Sequence, residues 1–327
     1  MKEKIMRKHM QERIGGGEIT NYTLEPPLPS SLNIELNNTC NQKCIFCPFH
    51  GKYAPQRLKP AVLDAEFVKE LLDQAKELGI GKKEVGFYLA GEAFVYPKFE
   101  EIVAYAKKLG FQYIFLTTNG ALAKPDRMKA VIDAGIDSIR FSVNAADRET
   151  YKEMHGTDDF DTVLDNIKYM YQYITENEIN VATSLSCVIT KKTQGIQEQV
   201  KNVFSEYVDD ILFIPVILSR FGDIQELKEI YEIQDDEGAE INPDYVCPII
   251  FNSMYINALG QVVPCCETYD SKLAIADLKK DPDLEKAWRC SGYEKYRKIF
   301  LKKESDTGTI CETCVMRKFG VQRLFMD

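Results

Sequence analysis

The sequence predicts an α/β fold, in which a partial (βα)6 TIM-like barrel is followed by a small cysteine-rich domain. Two observations lead to this prediction. Between residues 32 and 218, short β-like segments alternate with helical patterns, and that alternation is typical of a parallel sheet. After residue 218 the alternation is lost, and residues 241–327 contain six of the ten cysteines of the chain.

Six βα units can be followed along the first part of the chain. Residues 32–36 alternate with period two, and residues 66–78 place apolar side chains on one helical face, with Asp64 as N-cap and Gly79 after the end. Further strands are predicted at 85–90, 113–117, 136–143, 181–189 and 211–218, and further helices at 99–109, 128–134 and 163–174. A complete barrel has eight units, so six predict a partial barrel, with an open doubly wound sheet as the alternative. Both folds place the functional site at the carboxyl ends of the strands.

The predicted domain boundaries follow the composition. Residues 1–30 contain a run of three glycines and three prolines and are predicted as a loosely structured lead-in. The core domain is predicted at 31–222, a charged linker at 223–240 and a second domain at 241–327. One hairpin is predicted in the second domain at 254–263, but apolar periodicity is otherwise weak there. A bound metal is therefore expected to hold this domain together.

Charge and hydropathy exclude several classes of protein. Against 41 Lys and Arg residues stand 50 Asp and Glu residues, which gives a net charge of −9. This balance argues against a general affinity for nucleic acid or anionic lipid. No apolar run has the length of a signal sequence or of a membrane span. A cytoplasmic location is expected, where clustered cysteines serve as metal ligands or catalysts more often than as disulfides.

The first cysteine cluster has the spacing C-x3-C-x2-C and comprises Cys40, Cys44 and Cys47. It follows the first predicted strand directly. Soft thiolate ligands select zinc or iron–sulfur clusters. A structural zinc site takes four protein ligands, whereas three cysteines on a tetranuclear cluster leave one iron open. The alternatives are a zinc site completed by His50 and three unrelated thiols.

With this loop the chain resembles the radical S-adenosylmethionine (SAM) enzymes, whose signature is a C-x3-C-x2-C loop after the first strand of a partial (βα)6 barrel. The resemblance covers about residues 32–220. It implies cofactor contacts for Phe46 in the loop, for Ala90, Gly91 and Glu92 at the Gly-Gly-Glu position, for Thr118 and Asn119 in a T-N-G stretch, and for Ser142 and Asn144 at the S-x-D position. Ala90 replaces the first glycine, and Asn144 replaces the usual aspartate.

The resemblance also implies the chemistry. A [4Fe–4S] cluster on the three cysteines would bind SAM through its open iron, with Glu92 near the amino group and Ser142 near the carboxylate or ribose of SAM. Reductive cleavage of SAM would give a 5′-deoxyadenosyl radical that removes a hydrogen atom from the substrate. An electron donor such as flavodoxin or ferredoxin is the expected protein partner.

A second group of cysteines lies near the C-terminal end. Cys247, Gly260 and Cys265 have the spacing C-x12-G-x4-C, and Cys311 and Cys314 follow as C-x2-C. Taken alone, this pattern is equally typical of structural zinc. Together with the first domain it resembles the SPASM/twitch extensions of radical SAM enzymes. That resemblance implies an auxiliary [4Fe–4S] cluster with all four cysteines as ligands.

Three cysteines are left over. Cys187 lies in an apolar strand and is predicted to be a small buried hydrophobe, and the family pattern does not need Cys290. Cys266 has three interpretations. It replaces Cys265 as a ligand, it is inert, or it donates a hydrogen atom to a substrate radical, as epimerases of this superfamily do.

The cysteine layout most resembles that of aminocyclitol and sugar dehydrogenases, and next that of the epimerases. Oxidation or epimerisation of a small polar substrate is therefore expected. Modification of a ribosomal peptide is the rival, and the short lead-in before the first strand favours a small molecule. A non-catalytic zinc or iron–sulfur protein is the alternative from another class. Tyr53, Arg57 and Arg220 are further candidates for contact with substrate or SAM.

Overall fold

The computed structural model describes residues 5–15, 19, 21–54, 59–216, 240–266, 273–305, 307–312 and 314–320. The predicted linker lies outside these residues except for its last position. Arg57 and Arg220 lie outside them as well. None of the helices within the described ranges has the length and apolar character needed to span a membrane.

Nine strands in the described residues form one sheet. They are β1 (Ser31–Ile34), β2 (Glu84–Phe87), β3 (Ile114–Thr118), β4 (Ser138–Ser142), β5 (Ala182–Ile189), β6 (Asp210–Pro215), β7 (Ser253–Ile256), β8 (Gln261–Val263) and β9 (Ala276–Asp277). Their order is β6-β5-β4-β3-β2-β1-β7-β8-β9, and β1 to β6 all pair in parallel with their neighbours. This sequential order confirms the partial barrel, because a doubly wound sheet would reverse direction at a switch point.

The described residues contain eleven α-helices. They are α1 (Ile5–Gly15), α2 (Ala65–Leu78), α3 (Phe99–Lys108), α4 (Pro125–Asp133), α5 (Arg148–His155), α6 (Phe160–Glu176), α7 (Gln197–Phe204), α8 (Ile249–Asn252), α9 (Leu284–Trp288), α10 (Ser291–Leu301) and α11 (Val315–Phe319). The predicted caps of α2 are confirmed. Asp64 accepts hydrogen bonds from the first-turn amides, and Gly79 ends the helix in the left-handed conformation with φ 73°.

The predicted second strand is too long, since 85–90 was expected and β2 ends at Phe87. The strand ends early because of the Glu35 side chain. The amides of Ala90 and Gly91 donate to the Glu35 carboxylate, at 2.7 and 3.2 Å, instead of joining a β-ladder. The chain therefore leaves the sheet where it reaches the predicted SAM site.

The lead-in contains a helix, α1, which the sequence pattern did not indicate. Its basic residues account for its position. Arg7 makes two hydrogen bonds of 2.8 Å to Asp210 on β6, and Arg13 lies 2.5 Å from Glu84 on β2. Burial alone would raise the pKa of Glu84, but the Arg13 charge lowers it to about 2. Both carboxylates lie at the amino ends of their strands, so α1 covers that end of the barrel.

The C-terminal hairpin joins the barrel sheet directly. β7 pairs in parallel with β1, with Leu32 opposite Met254, and β8 returns antiparallel to β7. Gly260 has φ 78° in the turn between them, which confirms the predicted hairpin. The first strand thus has the core domain on one side and the cysteine-rich residues on the other.

Candidate functional site

The first cysteine loop leaves the carboxyl end of β1, and its three cysteine residues are partly exposed. Gly51 closes this loop. A Cβ atom at that position would lie 2.6 Å from the carbonyl oxygen of Cys44 and 2.7 Å from that of Cys47, so a larger residue would push the loop open. The backbone is thus packed tightly around the three thiols.

Each sulfur of the loop has a nitrogen neighbour. The Gln42 amide donates to Cys40 Sγ at 3.4 Å, the His50 amide donates to Cys47 Sγ at 3.4 Å, and His155 Nδ1 lies 3.5 Å from Cys44 Sγ. Hydrogen bonds to sulfur stabilise thiolates and tune the metal centres that thiolates hold. This donor set fits an iron–sulfur cluster.

The loop thiols lie close enough to raise one another's pKa values. Burial and the charges of Glu92 and Cys47 raise the pKa of Cys40 to about 12, against the hydrogen bond from Gln42. Burial, with Cys47 and Cys40 nearby, holds the pKa of Cys44 well above its ordinary value. Within the described ranges, no three His, Cys, Asp or Glu side chains are arranged to hold a single metal ion. A cationic cluster bound by all three sulfurs would remove their mutual repulsion.

His155 links the cysteine loop to β4. Its Nε2 accepts a hydrogen bond from the Asn144 amide at 3.0 Å, so the proton of the neutral ring is on Nδ1. That N–H lies 2.9 Å from Gln42 Oε1 and 3.5 Å from Cys44 Sγ. Burial lowers the pKa of His155 to about 3, and the ring stacks on Tyr151 at 4.0 Å. The sequence pattern did not single out His155.

Gly91 and Glu92 lie at the Gly-Gly-Glu position, which is predicted to contact SAM. A Cβ atom at Gly91 would lie 2.0 Å from the Asn37 carbonyl oxygen, so only glycine fits. The buried Glu92 carboxylate accepts hydrogen bonds from the Thr118 hydroxyl at 2.6 Å and from the Asn119 amide at 2.8 Å. Burial raises its pKa. Glu92 therefore joins the ends of β2 and β3, while its expected contact with SAM stays a prediction.

The T-N-G stretch contacts the cysteine loop, and the S-x-D stretch contacts β5. Asn119 Nδ2 lies 2.9 Å from Asn41 Oδ1 and 3.7 Å from Cys40 Sγ. Asn144 binds Val188 of β5 through Oδ1, at 2.7 Å from the amide nitrogen, and Ser142 is partly exposed beside it. Direct cofactor contacts of these side chains stay predictions.

Phe46 lies on an apolar patch above the strand ends. The patch contains the buried Met154 and Val216, with Ile45, Phe46, Tyr53 and Val188 packed partly buried against them. An apolar surface beside the cysteine loop suits the flat face of a nucleobase. Phe46 and Tyr53 are thus both at the mouth of the barrel.

Cys247, Cys311 and Cys314 come together in the second domain. Burial raises the pKa of Cys247 far above its ordinary value, and the charges of Cys314 and Cys311 act in the same direction. Arg317 lies beside this group and is fully buried. Its Nε and Nη1 have no hydrogen-bond partner, and its charge opposes the rise in the pKa of Cys311. A buried cation with unpaired donors fits an anionic cluster on these cysteines.

Cys265 and Cys266 influence different tyrosines. Cys265, together with Cys311, contributes to the raised pKa of Tyr296. Cys266 contributes to the raised pKa values of Tyr88 and Tyr255, whose hydroxyls lie 3.4 Å apart. Both cysteines are partly exposed, and the choice of Cys265 as the auxiliary ligand stays a prediction. Cys187 is fully buried, as predicted.

Glu35 is a residue that the sequence pattern did not single out. Its Oε1 accepts from the amides of Ala90 and Gly91, and its Oε2 accepts from the Ala258 amide at 2.8 Å. Burial raises its pKa to about 7, although these three hydrogen bonds oppose the rise. Glu35 thus joins the predicted SAM motif to the C-terminal hairpin. The only signal in the sequence is a carboxylate in an otherwise buried strand.

Two family models match the chain. Residues 34–191 match the Radical SAM superfamily, and residues 247–315 match SPASM, an iron–sulfur cluster-binding domain. This pair of domains implies a SAM-binding [4Fe–4S] cluster, SAM itself and auxiliary iron–sulfur binding. The matched ranges contain all seven cysteines predicted as ligands.

Curated relatives match only in part. A probable GTP 3′,8-cyclase of Saccharolobus islandicus is 34% identical over 137 residues, which are 42% of this chain and 42% of the relative. One of Thermococcus kodakarensis is 30% identical over 152 residues, covering 46% of this chain and 47% of the relative. The chain therefore matches less than half the length of these relatives.

Solved structures share the fold. SuiB of Streptococcus suis, bound to the precursor peptide SuiA, has a TM-score of 0.62 and 19% identity over 83% of this chain and 67% of its own. BtrN, in complex with AdoMet and 2-DOIA, has a TM-score of 0.55 and 16% identity over 91% of this chain and 98% of its own. At these identities the likeness concerns the fold alone.

Proposed function

This chain belongs to the radical SAM superfamily and carries a SPASM domain, and from that premise we propose that it oxidises or epimerises a small polar substrate of the sugar or aminocyclitol type. The main support is that the cysteine loop, the Gly91–Glu92 segment and Asn119 meet at the carboxyl ends of the strands. Cys266 of the second domain contributes to the raised pKa of Tyr88 next to β2, which supports a place for its thiol near the barrel.

The two sets of cysteines imply different roles for the two clusters. When bound, the first cluster supplies the electron that cleaves SAM into methionine and a 5′-deoxyadenosyl radical, and the auxiliary cluster supplies an electron acceptor. Cys40, Cys44 and Cys47 hold the first cluster. The second is held by Cys247, Cys265, Cys311 and Cys314. Glu92 keeps the SAM segment against β3, and His155 orients Cys44.

Cys266 decides between the two reactions. In an oxidation, the substrate radical loses one electron and one proton, and no thiol is needed. In an epimerisation, the S–H bond of Cys266 breaks and its hydrogen atom forms a new C–H bond on the opposite face of the substrate. The resulting thiyl radical returns to a thiol by taking one electron and one proton, for which a reduced flavodoxin or ferredoxin is the proposed source.

Isotope labelling tests this proposal. The anaerobic enzyme with both clusters is incubated in D2O with SAM, reduced flavodoxin and a panel of sugars and aminocyclitols. Oxidation gives a product two hydrogens lighter for each 5′-deoxyadenosine formed. Epimerisation gives an isomer with one deuterium, and Cys266→Ala abolishes that product whereas Cys290→Ala keeps it.

Two outcomes count against the proposal. If 5′-deoxyadenosine forms in step with a change in a peptide, and no sugar or aminocyclitol is altered, the chain modifies peptides instead. If the isomer with one deuterium still forms at an unchanged rate in Cys266→Ala, the thiol is not the hydrogen donor and epimerisation through Cys266 is ruled out.

A further inference from the structure

The barrel interior contains a positively charged side chain, that of Arg140, which takes no part in the two cysteine sites. Arg140 is the central residue of β4, and it alternates with the buried Ile139 and Phe141. Its side chain is partly exposed. Nη1 lies 3.0 Å from Met10 Sδ, and Nη2 donates to the Thr117 hydroxyl at 3.1 Å. Nε has no hydrogen-bond partner.

A comparison with Arg13 shows what Arg140 lacks. Arg13 also reaches the barrel interior, where it lies 5.9 Å from the ring centre of Tyr88 and 5.0 Å from that of Phe115. It is paired with Glu84 at 2.5 Å. Arg140 has only a thioether and a hydroxyl as partners, and in the described part of the chain no carboxylate forms an ion pair with it. Since a guanidinium stays charged, an unpaired one in a half-buried site is costly unless an anion is supplied.

The surroundings of Arg140 contain several hydrogen-bonding groups. Thr117 lies opposite Arg140 in the pairing of β3 with β4, and the hydroxyl of Tyr88 lies 3.4 Å from that of Tyr255. Tyr88, Thr117 and Arg140 are all partly exposed. Arg140 and Thr117 therefore lie on the same face of the sheet, and that face is not fully filled by apolar side chains.

We propose that Arg140 binds an anionic group, a carboxylate or a phosphate, of the substrate inside the barrel. The proposal rests on the proposed function, because it takes this interior to be the substrate site. Planar guanidinium groups bind both anions through paired N–H donors. Within the proposed sugar or aminocyclitol class, the substrate then narrows to acidic sugars and sugar phosphates, whereas a cationic aminocyclitol would be repelled.

A matched set of sugars tests the charge preference. Glucose 6-phosphate, glucuronate, glucose and glucosamine are titrated at constant ionic strength into the full chain with both clusters and saturating SAM, and binding is measured by calorimetry. One of the two anionic sugars is expected to bind about tenfold or more tightly than glucose. The better of the two identifies phosphate or carboxylate as the preferred group.

Variants assign that preference to Arg140. Arg140→Gln is expected to reduce the binding of the anionic sugar to the level of glucose. Arg140→Lys keeps the charge without the paired donors and is expected to lie in between. Thr117→Val leaves the guanidinium in place but removes one of its two contacts, and a loss of a few-fold is expected. The matched control is Arg148→Gln, at an exposed pair with Asp158, which should bind like the unchanged protein.

Equal binding of all four sugars, or an anion preference that survives in Arg140→Gln, would overturn the inference. Formation of 5′-deoxyadenosine by the unchanged protein is measured in parallel. If SAM is cleaved but no anion preference is found, only this inference fails. If no SAM is cleaved, the proposed function fails.

Discussion

The two cysteine sites differ in how the chain builds them. The first has three cysteines within eight residues, all partly exposed, on a loop fixed by the ends of the barrel strands. The second draws on residues from 247 to 314, and two of its cysteines are buried beside a buried arginine. A partly exposed site with three cysteines is suited to binding a reactant. A more buried site, for which four cysteine ligands are proposed, is suited to structure and electron storage.

This difference also concerns stability. The loop of the first site rests on strands that pair without any metal. The cysteines of the second site are separated by short elements, from α8 to α10 and from β7 to β9, and metal binding there is expected to contribute to folding. Removing the first set of ligands should therefore abolish chemistry, and removing the second should also weaken the fold.

The largest effect is expected when Cys40, Cys44 and Cys47 are replaced together by alanine. SAM cleavage should fall to background, because no ligand of the first cluster is left. Iron content should fall by half, with little change in the melting temperature. Cys187→Ala, at a buried cysteine outside both sites, serves as the control. Persistent 5′-deoxyadenosine formation in the triple variant would show that the loop does not hold the reactive cluster.

Cys247→Ala is the matching change in the second site. It should leave the first cluster in place but expose the C-terminal residues. Limited proteolysis beyond residue 240 is expected to become about tenfold faster, because folding there is coupled to the metal. A triple-alanine loop variant should show no such increase. Equal protease resistance in both variants would remove the distinction between the two sites.

His155→Phe tests the hydrogen bonds around Cys44. The ring keeps its place on Tyr151, but the N–H to the sulfur and the acceptor for Asn144 are lost. Activity should fall about 10–100-fold, as for other groups that support metal ligands, and the midpoint potential of the first cluster should shift. The control is His50→Gln, at a histidine whose Nε2 lies 3.1 Å from the carbonyl oxygen of Ala90.

The loss of activity in His155→Phe is also expected to be independent of pH. Burial lowers the pKa of His155 to about 3, so the ring is neutral at every pH above that value. The loss caused by His155→Phe should therefore be the same from pH 6 to pH 9. A loss confined to acidic pH would mean that the charged ring is the active form.

Glu35→Gln should give the smallest effect. The pKa of Glu35 is raised to about 7, above ~4.3 in unfolded chains. Between these two values the folded protein holds a proton that the unfolded chain has released, so the free energy of unfolding falls as pH rises. The slope contributed by this group is at most ~1.4 kcal/mol per pH unit.

The substitution removes that slope. The melting temperature of Glu35→Gln, relative to the unchanged protein, should therefore rise between pH 5 and pH 7 and stay level above. Glu66→Gln, at an exposed residue of α2, should show no such trend. A relative melting temperature that is flat with pH in Glu35→Gln would mean that the carboxylate titrates normally.

Sequence periodicity was enough to predict the barrel, because each helix and strand is locally amphipathic or apolar. The cysteine spacing was enough to predict the first site, since its three cysteines lie on one loop. Helix α1 was missed because its stability comes from Arg7 and Arg13 pairing with Asp210 and Glu84, which are distant in sequence. The roles of Glu35 and His155 depend in the same way on partners from other strands and helices. The pairing of β7 with β1 was not visible, since register across more than 200 residues leaves no local pattern.

The central claim is that the loop of Cys40, Cys44 and Cys47 supports reductive cleavage of SAM. Its most direct test is to purify the chain without oxygen, reconstitute it with iron and sulfide, and measure 5′-deoxyadenosine after adding SAM and dithionite. The account predicts 5′-deoxyadenosine from a protein that contains about eight iron atoms, enough for two [4Fe–4S] clusters. Bound zinc in place of iron, with no 5′-deoxyadenosine, would contradict it and indicate a non-catalytic metal protein.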